Sequence, residues 1–278
     1  MIKTLTITQL VENTAVDPGL LGEHGNAFFI EADDYCLLFD TGQGLTLRHN
    51  AKQLDLPIKT IESIVLSHGH YDHMGGLEEA LDMTGPVDLY VHPEALGSKF
   101  NQNGRNIGAP MTDATIIQSL TRQIIHTRKP TEIIKGIYVT GEIPRTHKIE
   151  ETGGPFYIDQ ELNHHDSLID DQALYIETYQ GVIALLGCGH SGVINTLEYI
   201  HTLSSIRPIH AVIGGMHLLN ASPERLAFTC DALQHFSIPY IAPNHCTGIN
   251  AICNFKHHLP NSVHASNVGS RHHFCIEF

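Results

Sequence analysis

The residues most capable of chemistry lie in one short stretch, just after the apolar run Ile61 to Leu66 that reads as a buried strand. The stretch has the pattern HxHxDH, formed by His68, His70, Asp72 and His73. In an extended segment, side chains two residues apart point the same way, so His68 and His70 can converge on one point. Asp72 and His73 fall where the chain turns into a glycine pair and a helical stretch, so they are better placed to serve a neighbouring point. Because neutral imidazoles and a carboxylate are ligands for zinc, manganese or iron, the stretch predicts two divalent metal ions side by side.

Three later histidines are further candidates for the same site. Each follows an apolar run that reads as a strand, and each lies among glycines: His190, His217 and His245. Glycine lets the backbone approach a metal or a ligand closely. Strand ends on one edge of a layered sheet are where functional sites gather, so we expect these histidines to approach the stretch around His68.

The elements that must position these residues alternate between short apolar strands and helices. Strands are predicted at 2–11, 26–32, 36–39, 59–66, 87–91, 137–143, 173–179, 182–187, 209–213, 240–243 and 274–278, and helices at 45–54, 77–83, 193–204 and 223–236. Such alternation is typical of an α/β layered fold, and 278 residues suffice for one large domain or two small ones. The polar segment at about 92–131 is interpreted as an insertion that forms a lid or pocket wall, with an ordinary surface excursion as the alternative.

The HxHxDH pattern resembles the signature of the metallo-β-lactamase superfamily. The stretch from Phe39 to Gly42 resembles the first motif of that family, in which the aspartate, here Asp40, supports the metal site. Motifs along nearly the whole chain resemble one subfamily: Thr14, 23–25, 40–43, 66–76, 187–192, 214–218 and 244–248. The named member of that subfamily is an archaeal 7,8-dihydropterin-6-methyl-4-(β-D-ribofuranosyl)-aminobenzene-5′-phosphate synthase. The resemblance implies a single αββα sandwich domain over residues 1–278.

The resemblance also implies metal ligands, and one assignment stays open. It implies His245 as the last ligand of the metal held by Asp72 and His73. His190 lies at the end of the strand where relatives place a bridging aspartate or a cysteine, so the pattern departs from the family there. Four residues are candidates to complete the other metal site: His190, Asp171, His147 and Cys188.

The expected chemistry is hydrolysis by a metal-activated water, with a related metal-assisted addition or elimination as a variant. Two adjacent divalent ions lower the pKa of a shared water toward neutrality and stabilise the oxygens of a displacement. Zinc is expected, with manganese or iron as alternatives. Asp72 and Asp40 are the expected catalytic carboxylates, and Asp40 is expected to orient the histidine ligands. The residues expected to contact the substrate, a small phosphorylated or pterin-like metabolite by resemblance, are His217, Arg145 and His24.

Composition limits the class of partner. The chain has 16 basic and 30 acidic residues and a net charge of −14, which disfavours nucleic acid as a ligand. No stretch approaches the roughly 18 apolar residues of a membrane span, and the start lacks a signal-peptide pattern. The six cysteines form no CxxC pair, and Cys188 and Cys246 are interpreted as small buried side chains rather than ligands. We therefore expect a cytoplasmic protein that acts on a small molecule; whether it forms a homo-oligomer stays open.

Two other functions are compatible with the same residues. One is a di-iron redox enzyme on the same fold, which metal analysis of the purified protein would distinguish. The other is a non-catalytic protein that keeps the fold and the metal in order to bind a metabolite. A broad activity panel with ester, lactone and phosphodiester substrates would separate that function from hydrolysis.

Overall fold

The fold is a sandwich of two β-sheets between two layers of helices. The computed structural model describes residues 1–275; of the strand predicted at 274–278, residues 276–278 lie outside the described part. The strands are β1 (Thr4–Val11), β2 (Ala27–Ala32), β3 (Tyr35–Phe39), β4 (Ile61–Val65), β5 (Asp88–Val91), β6 (Phe100–Asn101), β7 (Gln123–His126), β8 (Thr131–Ile134), β9 (Ile137–Val139), β10 (Phe156–Tyr157), β11 (Ala173–Thr178), β12 (Gly181–Leu186), β13 (Ile209–Gly215), β14 (Tyr240–Asn244) and β15 (Arg271–Cys275). The helices are α1 (Leu47–Gln53), α2 (Tyr71–Met74), α3 (Leu77–Thr84), α4 (Ala114–Leu120), α5 (Val193–Leu203), α6 (Pro223–His235) and α7 (Ile249–His258).

The two sheets combine parallel and antiparallel pairing. The first sheet has the strand order β15-β1-β2-β3-β4-β5-β7, and the second has the order β14-β13-β12-β11-β9-β8. Strands β3 and β4 are parallel in the first sheet, and β12, β13 and β14 are parallel in the second. Neighbouring parallel strands end at the same edge of a sheet, so the segments that follow them lie close together. These are the strands that precede most of the candidate ligands.

Alternation of side chains along the strands builds the core between the sheets. On β12, Ile183 and Leu185 point into the space between the sheets, whereas Val182, Ala184 and Leu186 pack against the outer helices. Successive side chains of a strand point to opposite faces, so a strand covered on both sides must be apolar throughout. This double burial explains why β12 reads as an unbroken apolar run.

The helices cover the outer faces of the sheets through apolar stripes. Leu47 of α1 and Leu77 of α3 pack against the first sheet, and Leu197 of α5 and Leu233 of α6 pack against the second. The α/β layered αββα fold predicted from the sequence is therefore confirmed. Within residues 1–275, no helix combines the length and the apolar character that a bilayer crossing requires.

The segment predicted as an insertion, residues 92–131, is divided between the sheet and the wall of a cavity. Its later part forms β7, which pairs in parallel with β5 at the edge of the first sheet. Ile117 of α4 is buried in the core on that sheet. Asn101 and Ile107 are the parts of the segment that line the main cavity. The later part of the segment therefore extends the first sheet beyond β5, and the interpretation of the segment as a lid or pocket wall stays a prediction.

Candidate metal centre

The candidate site residues project from the carboxyl ends of strands in both sheets. Asp40 follows β3, His68 follows β4, Cys188 follows β12, His217 follows β13 and His245 follows β14. The backbone φ angles of Asp40, His217 and His245 are positive, at 61°, 48° and 48°. A positive φ is costly for a residue with a Cβ atom and is concentrated at functional sites. The sandwich therefore gathers distant residues at one edge and holds three of them in a strained backbone conformation.

His68, His70 and His190 form a buried group, the three-histidine cluster. The ring centroids of His68 and His70 are 4.6 Å apart, and the ring of His190 lies 4.9 and 5.0 Å from them. Nε2 of His68 lies 2.9 Å from Nδ1 of His70. Burial lowers the pKa of all three imidazoles, that of His70 to about 3. The rings are therefore neutral at pH 7, which is the form that binds metal.

Hydrogen bonds fix which nitrogen of two of these rings faces the cluster. Ser67 Oγ donates to Asp40 at 2.7 Å, so the same oxygen accepts from Nδ1 of His68 at 2.9 Å. The carbonyl of Thr152 accepts from Nδ1 of His190 at 2.7 Å. Nε2 of both histidines is thus left with a lone pair, and that of His190 is buried with no hydrogen-bond partner among residues 1–275. A buried lone pair with no donor near it fits a metal ion.

Asp72, His73 and His245 form a second group, the mixed cluster, beside the first. Oδ2 of Asp72 lies 3.4 Å from Nε2 of His245 and 3.8 Å from Nε2 of His73. The two Nε2 atoms are 3.2 Å apart. The side chain of His24, 55% exposed, contacts the same carboxylate at 3.2 Å. The rings of His68 and His73 are 4.3 Å apart, so the two clusters are adjacent.

Asp40 lies behind the mixed cluster and orients one of its histidines. Its Oδ2 accepts from Nδ1 of His73 at 2.7 Å, and its Oδ1 accepts from the backbone N–H of Ser67 at 2.7 Å. Burial lowers the pKa of His73, but the charges of Asp40 and Asp72 raise it to about 9. Burial raises the pKa of Asp72, but the charge of His73 and a hydrogen bond from His24 hold it well below its ordinary value. Without metal, the mixed cluster is thus a charged pair, and a metal ion would displace the His73 proton.

Cys188 lies between the two clusters. Its Sγ is within 4.8 Å of ligand atoms of His68 and His190, and also of ligand atoms of His73 and His245. This thiol is therefore placed to reach a metal in either cluster. Thiolate sulfur is a ligand for zinc and iron, so the donors at both clusters suit the metals predicted from the sequence. The identity and number of the ions stay predictions.

Cys188 also belongs to a third group, with His217 and Cys246. Its Sγ lies 3.2 Å from Nδ1 of His217 and 3.0 Å from Sγ of Cys246, and both thiols are free. The ring of His217 is 4.2 Å from that of His190. The sequence interpretation of these cysteines as small buried side chains accounts for their burial. The sequence also named Cys188 among the candidates to complete the first metal site, and its sulfur atom does face His68 and His190.

Arg145, expected to contact the substrate, lies elsewhere. Its Nη2 donates to the carbonyl of Leu168 at 2.9 Å, and its side chain lines a separate small pocket. The sequence favoured this residue because arginine matches the geometry of carboxylate and phosphate groups, but Arg145 is not among the described residues that line the main cavity. The other two residues expected to contact the substrate, His24 and His217, both line the main cavity.

Two of the four residues proposed to complete the first metal site do not reach it. His147 contacts Glu198 of α5 at 2.9 Å. Asp171 accepts from the backbone N–H of Ser191 at 2.7 Å and so supports the turn after β12. The candidates that do reach the three-histidine cluster are His190 and Cys188.

The clusters open into a cavity of about 1060 Å³, part of whose wall is a loop that the sequence did not mark. The ring of Phe156 lies 5.2 Å from that of His70 and 5.4 Å from that of His190. Gly153 packs so closely on His217 that a Cβ atom would clash with the imidazole ring. No motif identifies this loop, whose residues gain their role only when folding places them over the strand ends.

Comparison with known proteins identifies the family. The sequence profile of the metallo-β-lactamase superfamily matches residues 20–160. The 7,8-dihydropterin-6-methyl-4-(β-D-ribofuranosyl)-aminobenzene-5′-phosphate synthase of Methanocaldococcus jannaschii is 31% identical over 242 residues, which is 82% of each chain. The chain belongs to the metallo-β-lactamase superfamily. A second M. jannaschii protein, the uncharacterised protein MJ0448, is 34% identical over 249 residues, 87% of this chain and 91% of that one.

A solved structure extends the match over the whole metallo-β-lactamase fold. Tm1679, described as a metal-dependent hydrolase of the β-lactamase superfamily, superposes with a TM-score of 0.83 at 27% identity. The superposition covers 98% of this chain and 100% of that one. These matches confirm the family and the fold inferred from the HxHxDH pattern. The roles of individual residues stay predictions that the geometry supports.

Proposed function

We propose that the chain is a metal-dependent hydrolase that acts on a small metabolite. The observation that carries the proposal is the buried Nε2 of His190, which has no hydrogen-bond partner in the described part of the chain. It faces His68 and His70 beside a second cluster of candidate ligands at a large cavity. Divalent ions at these clusters, zinc or else manganese or iron, would supply an activated water and a Lewis acid. The similarity to Tm1679, a metal-dependent hydrolase by its description, supports this reaction class.

The residues around the clusters have separate tasks in this proposal. Asp72 is the carboxylate closest to the exposed His24, and it can both bind metal and accept a proton at the cavity side. Asp40, which is fully buried, holds the Nδ1 proton of His73 and so keeps Nε2 directed at the cluster. His24 and His217 line the cavity and contact the substrate.

The proposed substrate is a small phosphorylated or pterin-like metabolite. The M. jannaschii relative is named as the synthase of a dihydropterin that carries a ribofuranosyl 5′-phosphate. The cavity of about 1060 Å³ is large enough for a heterocycle with a charged substituent, since small-molecule pockets measure roughly 300–1,000 Å³. Its lining mixes imidazoles with apolar side chains such as Phe156 and Leu219, which suits a flat ring.

Substitution of one ligand in each cluster tests the proposal. We expect His70→Ala and His245→Ala to lose bound metal and turnover over a panel of phosphomonoesters, phosphodiesters, esters and lactones. His258→Ala, on an exposed part of α7, is the matched control and should keep both. Metal content would be measured by inductively coupled plasma mass spectrometry. Unchanged metal and unchanged turnover in both ligand variants would rule the proposal out.

The same measurements separate the two alternative functions. A di-iron redox enzyme would be favoured if protein purified without added metal contains iron, shows redox activity and turns over no substrate of the panel. Bound metal, tight binding of one metabolite and no turnover would favour a non-catalytic binding protein.

A further inference from the structure

One arginine on the cavity wall takes no part in the metal centre. Arg225 lies in the first turn of α6, is 6% exposed and lines the cavity. Its Nε and Nη2 atoms are buried and have no hydrogen-bond partner within residues 1–275. A buried charge is normally paired, and a buried donor is normally bonded. An unpaired guanidinium on the wall of a cavity is a candidate partner for a ligand that enters the cavity.

The carboxylate with the strongest electrostatic effect on Arg225, that of Glu150, already accepts hydrogen bonds from the backbone. The carboxylate of Glu150 accepts from the backbone N–H groups of Ile194 and Asn195 at 2.9 and 2.7 Å. Burial lowers the pKa of Arg225, and the charges of Glu150 and Glu151 offset that effect only in part. Among the described residues, no carboxylate lies within ion-pair distance of this guanidinium.

The setting of Arg225 suits an anion with two oxygens. Nε and Nη2 form one edge of the planar guanidinium, and their parallel N–H groups match two oxygens of a phosphate or a carboxylate. Ser222 accepts from the backbone N–H of Arg225 at 3.2 Å as the N-cap of α6, so the positive end of the helix dipole lies at the same place. The net charge of the chain is −14, so an anionic ligand needs such a local cation.

We propose that Arg225 binds an oxyanion group of the substrate, a phosphate or a carboxylate, at the α6 side of the cavity. The proposal rests on the proposed function only in taking this cavity as the substrate site. Arg225 is then the residue that selects anionic metabolites over neutral ones, while the histidine clusters carry the chemistry. It takes the role that the sequence suggested for Arg145.

Calorimetric titration of the purified full-length chain with inorganic phosphate, and separately with acetate, tests the proposal. We expect Arg225→Gln to weaken binding of the preferred probe by about tenfold or more, because two charge-assisted hydrogen bonds are lost. Arg225→Lys keeps the charge without the planar edge, so its affinity should lie between those of wild type and Arg225→Gln. Arg122→Gln removes an exposed arginine, 56% exposed, and should bind as wild type does.

The two probes also separate the chemical source of the oxyanion. Tighter phosphate binding assigns a phosphate group to the substrate, and tighter acetate binding assigns a carboxylate. Metal content should be unchanged in all three arginine variants, so this result stands or fails independently of the histidine substitutions. Arg225→Gln and Arg225→Lys that retain the wild-type melting temperature and bind both probes as wild type does would overturn the proposal, as would a wild-type chain that binds neither.

Discussion

The three-histidine cluster and the mixed cluster lie side by side but differ in charge and exposure. His68 and His190 are at most 1% exposed, and burial keeps their imidazoles neutral. In the mixed cluster, Asp72 and His73 form a charged pair that contacts the exposed His24. One cluster therefore offers free lone pairs in a dry environment, and the other offers a carboxylate at the cavity side.

The difference suggests separate tasks for the two clusters. A buried set of neutral imidazoles binds a cation without competition from protons, so it suits a firmly held ion. A carboxylate beside an exposed histidine suits the exchange of protons with a ligand in the cavity. Each cluster also has its own supporting carboxylate. Asp40 orients His73 of the mixed cluster. Asp170 accepts from the backbone N–H of Gly69, which lies between His68 and His70 of the three-histidine cluster.

The largest expected effect comes from removing the ligand that completes the three-histidine cluster. We expect His190→Ala to lose about one metal ion per chain and to reduce turnover more than about a hundredfold, because even groups that only orient ligands contribute 10–100-fold. Metal analysis and initial rates would measure this. His147→Ala is the control, since His147 contacts Glu198 instead of the cluster. A His190→Ala protein with full metal would transfer the ligand role to Cys188.

A smaller effect on turnover is expected from substitution of Asp40, the carboxylate that orients His73 in the mixed cluster. Asp40→Asn keeps the shape of the side chain but removes the charge that holds the Nδ1 proton of His73. We expect turnover to fall about 10–100-fold, with metal retained in the three-histidine cluster. The check is turnover measured together with metal stoichiometry. Loss of both ions would mean that the clusters do not act separately.

Substitution of Lys99, which pairs with the carboxylate that supports the three-histidine cluster, should affect stability rather than turnover. Lys99, 2% exposed, donates to Asp166 and Asp170 at 2.9 Å each. Lys99→Met leaves two carboxylates unpaired, so the free energy of unfolding should fall by about 3–5 kcal/mol. Lys59→Met, at an exposed lysine, should change it by less than about 0.5 kcal/mol. Denaturant unfolding measures both, and equal stabilities would contradict a structural role for the pair.

The pH dependence of that loss follows from the two pKa shifts. Burial raises the pKa of Asp170 but the Lys99 charge holds it below its ordinary 3.8, so its stabilising contribution is complete above pH 3.8 and is lost as the pH falls through the lowered value. Burial lowers the pKa of Lys99 but the two aspartates raise it above 10.5, so its contribution is complete below pH 10.5. The stability difference between wild type and Lys99→Met should therefore be largest near neutral pH. It should shrink as the pH falls through the acidic range, because burial without Lys99 makes Asp170 of the variant bind a proton at a higher pH than Asp170 of the wild type does.

Local spacing made one half of the site predictable. His68, His70 and His73 lie within six residues, and alternation along an extended segment determines which of them can converge. Spacing along the sequence could not show which residue completes the three-histidine cluster. That choice depends on the order of β11 and β12 in the second sheet and on the turn at Gly189, where φ is 70°.

The substrate side of the site was the least predictable part. Arg145 follows a predicted strand and Arg225 lies at the start of a predicted helix, and neither position shows in the sequence whether the guanidinium faces a cavity. Only the folded chain shows that Arg145 is bonded to a backbone carbonyl, whereas Nε and Nη2 of Arg225 are buried with no partner among the residues that the structure describes. The contribution of Phe156 likewise depends on a loop that no periodic pattern marks.

The hydrogen bond from His190 to the carbonyl of Thr152 joins a loop to a proposed metal ligand. The same loop places Gly153 on His217 and leads into Phe156, which faces the three-histidine cluster. If the three-histidine cluster binds an ion, thermodynamic linkage requires that whatever stabilises this loop conformation also increases the affinity for the ion, and that the ion stabilises the loop by the same free energy. Binding of a ligand under the loop would then change the affinity for metal, and metal would change the affinity for the ligand. Each affinity should be measured with the concentration of the other partner held constant.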